Sequence, residues 1–509
     1  MSSSRIVRHD VIITNPAAPH PLIYWHDIRP DDMMLRKRNL IMSVTLSFMG
    51  AAQGVTGSRY LINKDGIKLL VDCGLYQERE FLYRNWQKFG FIPAELHAVL
   101  LTHAHLDHCG LLPRLVNQGF RGKVFCTPAT ADITKITLLD SARIQQEDAE
   151  NKKKRHLREG RKGPFPEVPL YTTADAQACM DLFTPVEYNT TIEPAEGIEA
   201  TFNDAGHVLG SSSIRLRFNE NGVKRSIVFS GDIGRWDRPI INDPDVFKLT
   251  DYVVMESTYG DRIHEGTDEI SDKLAEIVNQ AFAAGGKIIV PSFALERAQE
   301  ILYYLNNLLM EKKIPPLDVY VDSPMANKIT EVFKHHAELY DQDMKNLVAQ
   351  NHSPFNFTGL KEVETIEQSK SLNERMGTIM IIAGAGMATG GRIKHHLANN
   401  ISKPEATIMF VGYQAVGTLG RQISDGAKTV RIHGQQYPVQ ARIARIEGFS
   451  AHADRDELLK WIELLSVHPK HVFITHGEKE SAESFSKLLH EQKGYETSVP
   501  EFGTTVTLD

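Results

Sequence analysis

A cluster of metal-binding residue types follows directly on an apolar run and limits how this chain can fold. The run, residues 98–101, contains only alanine, valine and leucine, which predicts a buried strand. Three histidines and one aspartate follow it: His103, His105, Asp107 and His108. Histidines two residues apart cannot share one face of a helix, so they converge only if the chain turns sharply after the strand. Open α/β sheets carry their chemistry at this end of their strands.

This density of imidazole has two interpretations, a metal site and a solvated loop that is rich in histidine. Only 21 of the 509 residues are histidine, so three of them within a few positions are improbable by chance. Imidazole and carboxylate groups suit zinc. The sequence therefore favours metal binding, with His103 and His105 serving one ion and Asp107 and His108 a second.

Length and composition exclude several classes of protein. A chain of 509 residues is too long for one ordinary core and predicts roughly two to four domains. The formal net charge of -7 argues against a globally basic nucleic-acid-binding surface, although it is compatible with a local basic cleft. The four cysteines form no Cys-x-x-Cys pair, which argues against disulfides and thiolate zinc sites and fits a reducing cytoplasm. No apolar run has the length of a membrane helix, and no signal-peptide pattern opens the chain.

Residues 1–41 differ in composition from the rest of the chain. They contain a proline-rich stretch at 15–21 and a basic run at 36–38, whereas an alternating strand pattern begins at Met42. We expect residues 1–41 to be a disordered extension, or the product of a start site set upstream of the natural one.

Several later strands each deliver one ionisable residue into a turn. His207, Asp232 and Glu256 follow apolar runs, and glycines flank these turns, where they let the backbone approach a ligand. Asp72 ends an earlier strand in the same way. A single residue of this kind is usually structural, but the repetition favours a functional site.

The sequence changes character after Gly260 and returns to its first pattern near the end. Between these points strands and helices alternate, which predicts a parallel α/β domain. His452 and His476 then lie at the ends of strand-like segments. We therefore expect the tail to rejoin the first domain, with the α/β region as an insertion.

Seven of these residues are sufficient to hold two zinc ions: His103, His105, Asp107, His108, His207, Asp232 and His476. Five imidazoles and two carboxylates leave solvent positions open, which is typical of catalytic rather than structural sites. Asp232 is the natural bridge between the ions. A hydroxide held between metals roughly 3.5–4 Å apart is a nucleophile at neutral pH, and the metals stabilise charge on a phosphoryl or acyl oxygen.

Three further residues are candidates for the remaining roles in catalysis. His452 is not needed as a ligand, so it can protonate a leaving alkoxide as the general acid. Glu256 could hold that imidazole in its protonated tautomer, and Asp72 could orient a ligand histidine in the same way.

The order of these motifs resembles the metallo-β-lactamase superfamily. The pattern consists of His-x-His-x-Asp-His at 103–108, a later histidine, a Gly-Asp turn and a final histidine. The inserted region, Glu256, Phe-Ser-Ala-His at 449–452 and Thr-His-Gly-Glu at 475–478 resemble its beta-CASP branch. That branch includes the endonuclease subunit of the cleavage-and-polyadenylation specificity factor, J-type ribonucleases and compact prokaryotic relatives. The resemblance runs from about Met42 to the end.

This resemblance implies an α/β fold, a metallo-β-lactamase αββα sandwich with an inserted parallel α/β beta-CASP domain. The sandwich would comprise residues 42–257 and 439–509, and the insertion residues 258–438. The chain is similar to the short bacterial type of the branch, because no KH-like extension is visible before Met42 and no J-type C-terminal domain follows His476.

The resemblance also implies a zinc-dependent endoribonuclease that hydrolyses RNA phosphodiester bonds. In the family pattern one zinc is held by His103, His105 and His207. The other zinc is held by Asp107, His108 and His476, and Asp232 is shared by both. Glu256 and His452 match the two residues credited with protonating the leaving group, and Asp107 is counted with the catalytic residues as well. The histidine count favours zinc, with manganese as the alternative.

Substrate contacts depend on weaker signals. The glycine-rich loop that contains Gly386 and Arg392 suits phosphate binding, but a tight structural turn is an equal alternative. Ser450 could hydrogen-bond a phosphate oxygen. The basic residues at 152–162, on a charge-dense predicted helix, form either a solvated face or a phosphate-steering arm. We expect single-stranded RNA as the partner, no membrane association, a cytoplasmic location and a homodimer as a candidate assembly.

Two other functions compete with RNA hydrolysis. One is hydrolysis of a small ester, thioester or lactam on the same dinuclear core, although a small substrate does not need a domain-sized roof over the metals. The other is an RNA-binding subunit with an inactive site, which requires a missing ligand, and none is missing.

Overall fold

Two seven-stranded β-sheets pack face to face in the computed structural model, which describes residues 44–220, 223–264 and 269–509. The expectation for residues 1–41 therefore lies outside the described part of the chain. The strand order in the first sheet is β22-β1-β2-β3-β4-β5-β6. Its strands are β1 (Val44–Gly50), β2 (Arg59–Lys64), β3 (Ile67–Val71), β4 (Leu96–Leu100), β5 (Lys123–Cys126), β6 (Phe183–Pro185) and β22 (Thr505–Leu508).

The second sheet has the strand order β21-β20-β11-β10-β9-β8-β7. Its strands are β7 (Thr191–Ala195), β8 (Ile198–Asp204), β9 (Ser212–Glu220), β10 (Val223–Phe229), β11 (Tyr252–Glu256), β20 (His471–Thr475) and β21 (Thr497–Ser498). Strands β10, β11, β20 and β21 run parallel to one another. A strand from near the end of the chain is thus an interior strand of the sheet.

Apolar side chains from both sheets fill the space between them. Phe48, Phe202 and Phe229 are fully buried there, and the rings of Phe48 and Phe473 lie 5.3 Å apart. Residues along β1 alternate between buried and half-buried, so one face of this strand points into the core.

Helices cover the outer faces of the two sheets and both faces of the insertion. In chain order they are α1 (Leu106–Cys109), α2 (Leu112–Asn117), α3 (Pro128–Glu159), α4 (Thr173–Met180), α5 (Glu269–Ala284), α6 (Arg297–Met310), α7 (Pro324–His335), α8 (Gln342–Ala349), α9 (Ile366–Ser371), α10 (Ile393–Asn400), α11 (Leu419–Ser424), α12 (Arg455–Glu463) and α13 (Lys479–Lys493). Short 3-10 helices span Leu82–Trp86, Pro93–Glu95 and Ala337–Leu339. Helices α2 to α4 pack on the first sheet, and α12 and α13 on the second.

The part of the chain that separates the two segments of the sandwich forms a third sheet. Its six strands run parallel in the order β14-β13-β15-β12-β16-β19. They are β12 (Ile288–Pro291), β13 (Asp318–Val321), β14 (Leu360–Glu362), β15 (Ile379–Ala383), β16 (Thr407–Val411) and β19 (Arg442–Ile446). Every residue of β12, β15 and β16 is buried, as expected for a parallel sheet with helices on both faces. A separate hairpin consists of β17 (Thr429–Ile432) and β18 (Gln435–Pro438).

This architecture confirms the predicted αββα sandwich with an inserted parallel α/β domain. The domain limits at 257/258 and 438/439 stay predictions. Strand β19 pairs with β16, so the third sheet extends past residue 438. Among the described residues, no helix combines the length and the apolar character needed to cross a membrane.

Candidate active site

Turns at the carboxyl ends of strands bring the predicted ligands together. His103 and His105 follow β4, His207 follows β8, Asp232 follows β10 and His476 follows β20. Strands β8, β10 and β20 point in the same direction within the second sheet. Their carboxyl ends therefore meet at one edge, where the end of β4 faces them from the first sheet.

The turns that carry His207 and Asp232 touch through their backbones. A Cβ at Gly234 would lie 1.7 Å from the carbonyl oxygen of Gly206. The Gly234 amide donates to the Ala205 carbonyl at 2.9 Å. Only glycine allows this approach, which gives a physical reason for the glycines beside these ligands.

The first group of facing donor atoms belongs to four side chains: His103, His105, His207 and Asp232. His105 Nδ1 lies 3.0 Å from His103 Nε2 and 3.2 Å from His207 Nε2. Asp232 Oδ2 lies 3.4 Å from His103 Nε2 and 3.6 Å from His207 Nε2. Ligand atoms about 2.0–2.1 Å from one tetrahedral zinc ion lie about 3.3 Å apart, so the observed spacings match such an ion.

The second group consists of Asp107, His108 and His476. His108 Nε2 and His476 Nε2 are 3.1 Å apart, and Asp107 Oδ2 lies 3.7 Å from His476 Nε2. Asp232 reaches this group with its other oxygen, because Oδ1 lies 3.1 Å from His108 Nε2. Asp232 thus connects the two groups in the manner of a bridging carboxylate.

The buried Asp232 carboxylate fits bound cations better than it fits a site filled only by protein. Both of its oxygens are buried, and neither has a hydrogen-bond partner among the described residues. A buried carboxylate without compensation costs several kcal/mol at least, by a rough estimate. The facing imidazole nitrogens around it are also the donor atoms that divalent transition metals accept. The donor set therefore fits a metal site.

Burial and charge set the protonation of these ligands. Burial lowers the pKa of His105 to about 4 and holds the pKa values of His103 and His207 well below the ordinary range. For Asp232, burial acts to raise the pKa, but His108 and other nearby imidazoles outweigh it and hold the pKa well below its usual value. For His108 and His476, burial acts to lower the pKa, but Asp232 and other nearby carboxylates outweigh it and raise both pKa values. Imidazole binds metal in its neutral form, so an ion that binds at these two side chains displaces their protons.

The other ring nitrogens of the ligand histidines are held by neighbouring groups. His108 Nδ1 lies 2.7 Å from Asp72 Oδ2, so Asp72 contacts one of the predicted ligands, and its orienting role stays a prediction. His476 Nδ1 lies 3.2 Å from Thr258 Oγ1. The sequence prediction missed Thr258. The available signal was its position two residues after Glu256, in the same turn.

His452 lies beside the donor groups and is paired with Glu256. His452 Nδ1 is 3.2 Å from Glu256 Oε1, and its Nε2 is 3.9 Å from Asp232 Oδ2. Burial disfavours the charged imidazole, but Glu256 and Asp232 outweigh it and raise the pKa of His452 to about 9. An imidazole of this kind carries a proton at neutral pH.

Two buried arginines after Asp232 hold the segment that carries His452. Arg235 and Arg238 both donate to the Gly448 carbonyl oxygen, at 3.2 and 2.8 Å. Arg238 also pairs with Glu300 of α6, which links the sandwich to the insertion. The sequence prediction missed both arginines, because a loop arginine carries no signal for the group that its long side chain reaches.

The three predicted substrate-binding residues lie in different environments. Ser450 Oγ donates to the His452 carbonyl at 3.4 Å, next to the donor groups. Gly386 lies in the loop after β15, on the insertion. Arg392 donates to Asp322 Oδ1 at 2.6 Å and to two backbone carbonyls of the insertion. Their roles in binding substrate stay predictions.

Three family models match separate parts of the chain. A Metallo-beta-lactamase superfamily domain matches residues 61–234, and a Beta-Casp domain matches residues 298–423. A Zn-dependent metallo-hydrolase RNA specificity domain matches residues 436–500. The last segment contains both His452 and His476.

Several curated proteins and one solved structure resemble the chain over most of its length. Ribonuclease TTHA0252 of Thermus thermophilus is 37% identical, over 90% of this chain and 98% of its own. The transcription termination factor FttA of Methanocaldococcus jannaschii is 31% identical, over 90% of this chain and 70% of its own. A crystal structure of an Enterococcus faecalis protein of unknown function has 14% identity and a TM-score of 0.54, covering 92% of this chain and 100% of that one. This last likeness concerns the fold alone.

Replacing Asp72 by Asn should weaken metal binding by about 10–100-fold, because the carboxylate no longer orients His108. Competition with a chromophoric chelator measures the affinity. Asp322→Asn is a matched control, since Asp322 is equally buried and lies 2.6 Å from His396 Nε2, away from the donor groups. Equal losses of affinity in both variants would contradict the orienting role of Asp72.

Proposed function

Because the chain belongs to the beta-CASP branch of the metallo-β-lactamase superfamily and is a metal-dependent hydrolase, we propose that it is a zinc-dependent endoribonuclease that hydrolyses RNA phosphodiester bonds. The observation that carries this proposal is the match of residues 436–500 to an RNA specificity domain, because that segment supplies both His452 and His476. The names of the curated relatives, a ribonuclease and a transcription termination factor, support the same substrate class.

The donor groups suit two zinc ions. Imidazole-rich sets favour zinc, and manganese is the alternative ion. When bound, zinc ions supply a water nucleophile that is active near neutral pH and stabilise negative charge on the phosphoryl oxygen. One ion would be held by His103, His105 and His207. The other would be held by Asp107, His108 and His476, and Asp232 would be shared by both.

We propose that His452 donates a proton to the leaving oxygen. Its Nδ1 faces Glu256, and its Nε2 faces the edge of the donor groups. The Glu256 carboxylate stabilises the imidazolium and leaves the Nε2 proton for the departing alkoxide. Glu256 itself is fixed, because its Oε1 accepts from the Ile233 amide at 2.7 Å.

The end of α3 carries a basic segment that suits RNA. Seven residues of this segment are cationic and exposed: Lys152, Lys153, Lys154, Arg155, Arg158, Arg161 and Lys162. Lys154 pairs with Glu150 at 3.6 Å and Arg161 with Glu159 at 2.6 Å. We propose that this segment attracts the phosphate backbone of single-stranded RNA. A cytoplasmic location and a homodimer remain part of the proposal.

RNA hydrolysis is tested by offering the zinc-loaded protein several substrates side by side. We expect cleavage of labelled single-stranded RNA and negligible turnover of nitrocefin and of a thioester. A chelator should abolish the cleavage, and added zinc should restore it. Rapid thioester turnover without RNA cleavage would instead support hydrolysis of a small ester or thioester.

Replacing His452 by Ala should leave zinc content near the wild-type value and lower RNA turnover by about 10²–10⁴, the range for loss of a general acid. Elemental analysis and single-turnover cleavage measure the two quantities. An ester with a p-nitrophenolate leaving group needs no protonation, so its hydrolysis should suffer far less.

The control for this variant is His97→Ala, an exposed imidazole at the opposite end of β4. It should change neither zinc content nor turnover. Loss of zinc in the His452 variant would show that His452 is a ligand rather than a proton donor.

Neutralising residues 152–155 should flatten the dependence of log RNA affinity on log salt concentration, by roughly 0.7 for each phosphate of a single strand that the segment neutralises. Binding titrations at several salt concentrations measure the slope. Neutralising Lys479 and Lys487 on α13, which pair with acidic residues, gives a comparison at another exposed helix. An unchanged slope for residues 152–155 would support a merely solvated helix face.

A further inference from the structure

Two large aromatic side chains are exposed where strands of the third sheet end. Phe293 follows β12 and is 46% exposed, and Tyr413 follows β16 and is 49% exposed. Burying an aromatic side chain removes roughly 150–250 Å² from water, so this exposure leaves stabilisation unused. Isolated exposed rings need no explanation. These two, however, lie at the same edge, on strands that are direct neighbours.

The loop after β15 contacts both segments that carry the rings. A Cβ at Gly386 would lie 2.8 Å from the Phe293 ring, so glycine at this position lets the backbone contact the ring. The Gly386 carbonyl accepts a hydrogen bond from the Gln414 side chain at 3.2 Å. Gln414 is the neighbour of Tyr413 in sequence, so one loop contacts both aromatic positions.

Phe293 and Gly386 lie where the order of the strands along the sheet reverses. After β12 the chain crosses to β13, towards one edge of the sheet, and after β15 it crosses to β16, towards the other edge. Open α/β sheets bind ligands outside the carboxyl ends of their strands at such a reversal. Phe293 thus occupies a position where this architecture offers a binding crevice, and Tyr413 lies one strand away.

Two contacts connect this crevice to the candidate active site. The centroids of the Tyr259 and His452 rings are 6.1 Å apart. The Gly412 amide, next to Tyr413, donates to the Ile446 carbonyl at 3.1 Å, at the start of the segment that leads to His452. Tyr259 and Tyr413 therefore both lie beside the segment that carries His452.

We propose that Phe293 and Tyr413 form a stacking platform for the nucleobases of RNA on the leaving-group side of the cleaved bond. The inference rests on the proposed function, which gives His452 the proton for the leaving oxygen. We assign the platform to the leaving-group side because Tyr413 lies beside the segment that leads to His452. Every nucleobase has a flat π face, so the platform accepts single-stranded RNA of any sequence.

Two cations near these residues suit the phosphates between stacked bases. The Arg262 guanidinium lies 5.7 Å from the centroid of the Tyr259 ring and pairs with Asp261 at 2.9 Å. Arg421 pairs with Asp425 at 2.7 Å and follows Gly420, whose amide donates to the Met387 carbonyl of the loop after β15 at 3.1 Å. Exposed ion pairs of this kind contribute little stability. A phosphate can therefore share these guanidinium groups without a large cost.

Steady-state cleavage of an oligoribonucleotide with one mapped cleavage site tests the platform in the full-length, zinc-loaded protein. Phe293→Ala and Tyr413→Ala should each raise KM by about 5- to 150-fold, with a smaller change in kcat, which is about 1–3 kcal/mol per base at about 1.36 kcal/mol per tenfold. Phe293→Trp and Tyr413→Phe keep a stacking face and should retain a KM near that of the wild-type protein.

Abasic nucleotides identify the side of the cleaved bond that uses the platform. Removing bases on the leaving-group side should raise KM for the wild-type protein but add little to the alanine variants, because they no longer have a partner for those bases. Removing bases on the opposite side should affect all proteins alike. Full additivity on the leaving-group side would overturn the proposal.

Leu249→Ala is the control, because Leu249 is a large apolar side chain that is 59% exposed. It precedes β11, at the end of the second sheet opposite the donor groups. Zinc content and thermal unfolding show whether each variant is folded. Unchanged KM values in folded alanine variants, with RNA still cleaved, overturn the platform alone. A wild-type protein that cleaves no RNA overturns the proposed function as well.

Discussion

A buried carboxylate without a hydrogen-bond donor of its own lies at the centre of this protein. Asp232 has both oxygens out of contact with water, and imidazole nitrogens from both sheets of the sandwich surround it. Such a group is tolerable only beside positive charge. Cations and the surrounding turns therefore stabilise one another, so metal binding and the final packing of this edge are thermodynamically coupled.

The same edge also fixes the position of the insertion. The turn that contains Asp232 continues into Arg235 and Arg238, which bind the Gly448 carbonyl just before His452. Arg238 reaches Glu300 on α6 of the insertion. The groups proposed to bind metal and to donate a proton thus lie along one continuous set of contacts that reaches the insertion.

The sequence predicted the parts of this structure that depend on residue type at strand ends. His103, His207 and Asp232 could be identified because metal ligands need particular atoms and because glycines mark the close turns. Thr258 and Arg238 could not, because their roles depend on which distant group a side chain reaches. Strand β19 was not predicted, since an edge strand with mostly half-buried residues lacks a continuous apolar run. Helix α3 begins well before its charge-dense part. Its first half was harder to predict, because it is largely buried and carries fewer charges.

The position of β20 has a consequence for synthesis on the ribosome. This strand lies between β11 and β21 and carries the residue before His476, yet it is among the last strands to be translated. Until it emerges, the nascent chain presents β11 as an open edge and lacks one of the clustered histidines. The second sheet and the cluster of donor groups are therefore completed only after residues 471–476 have been translated.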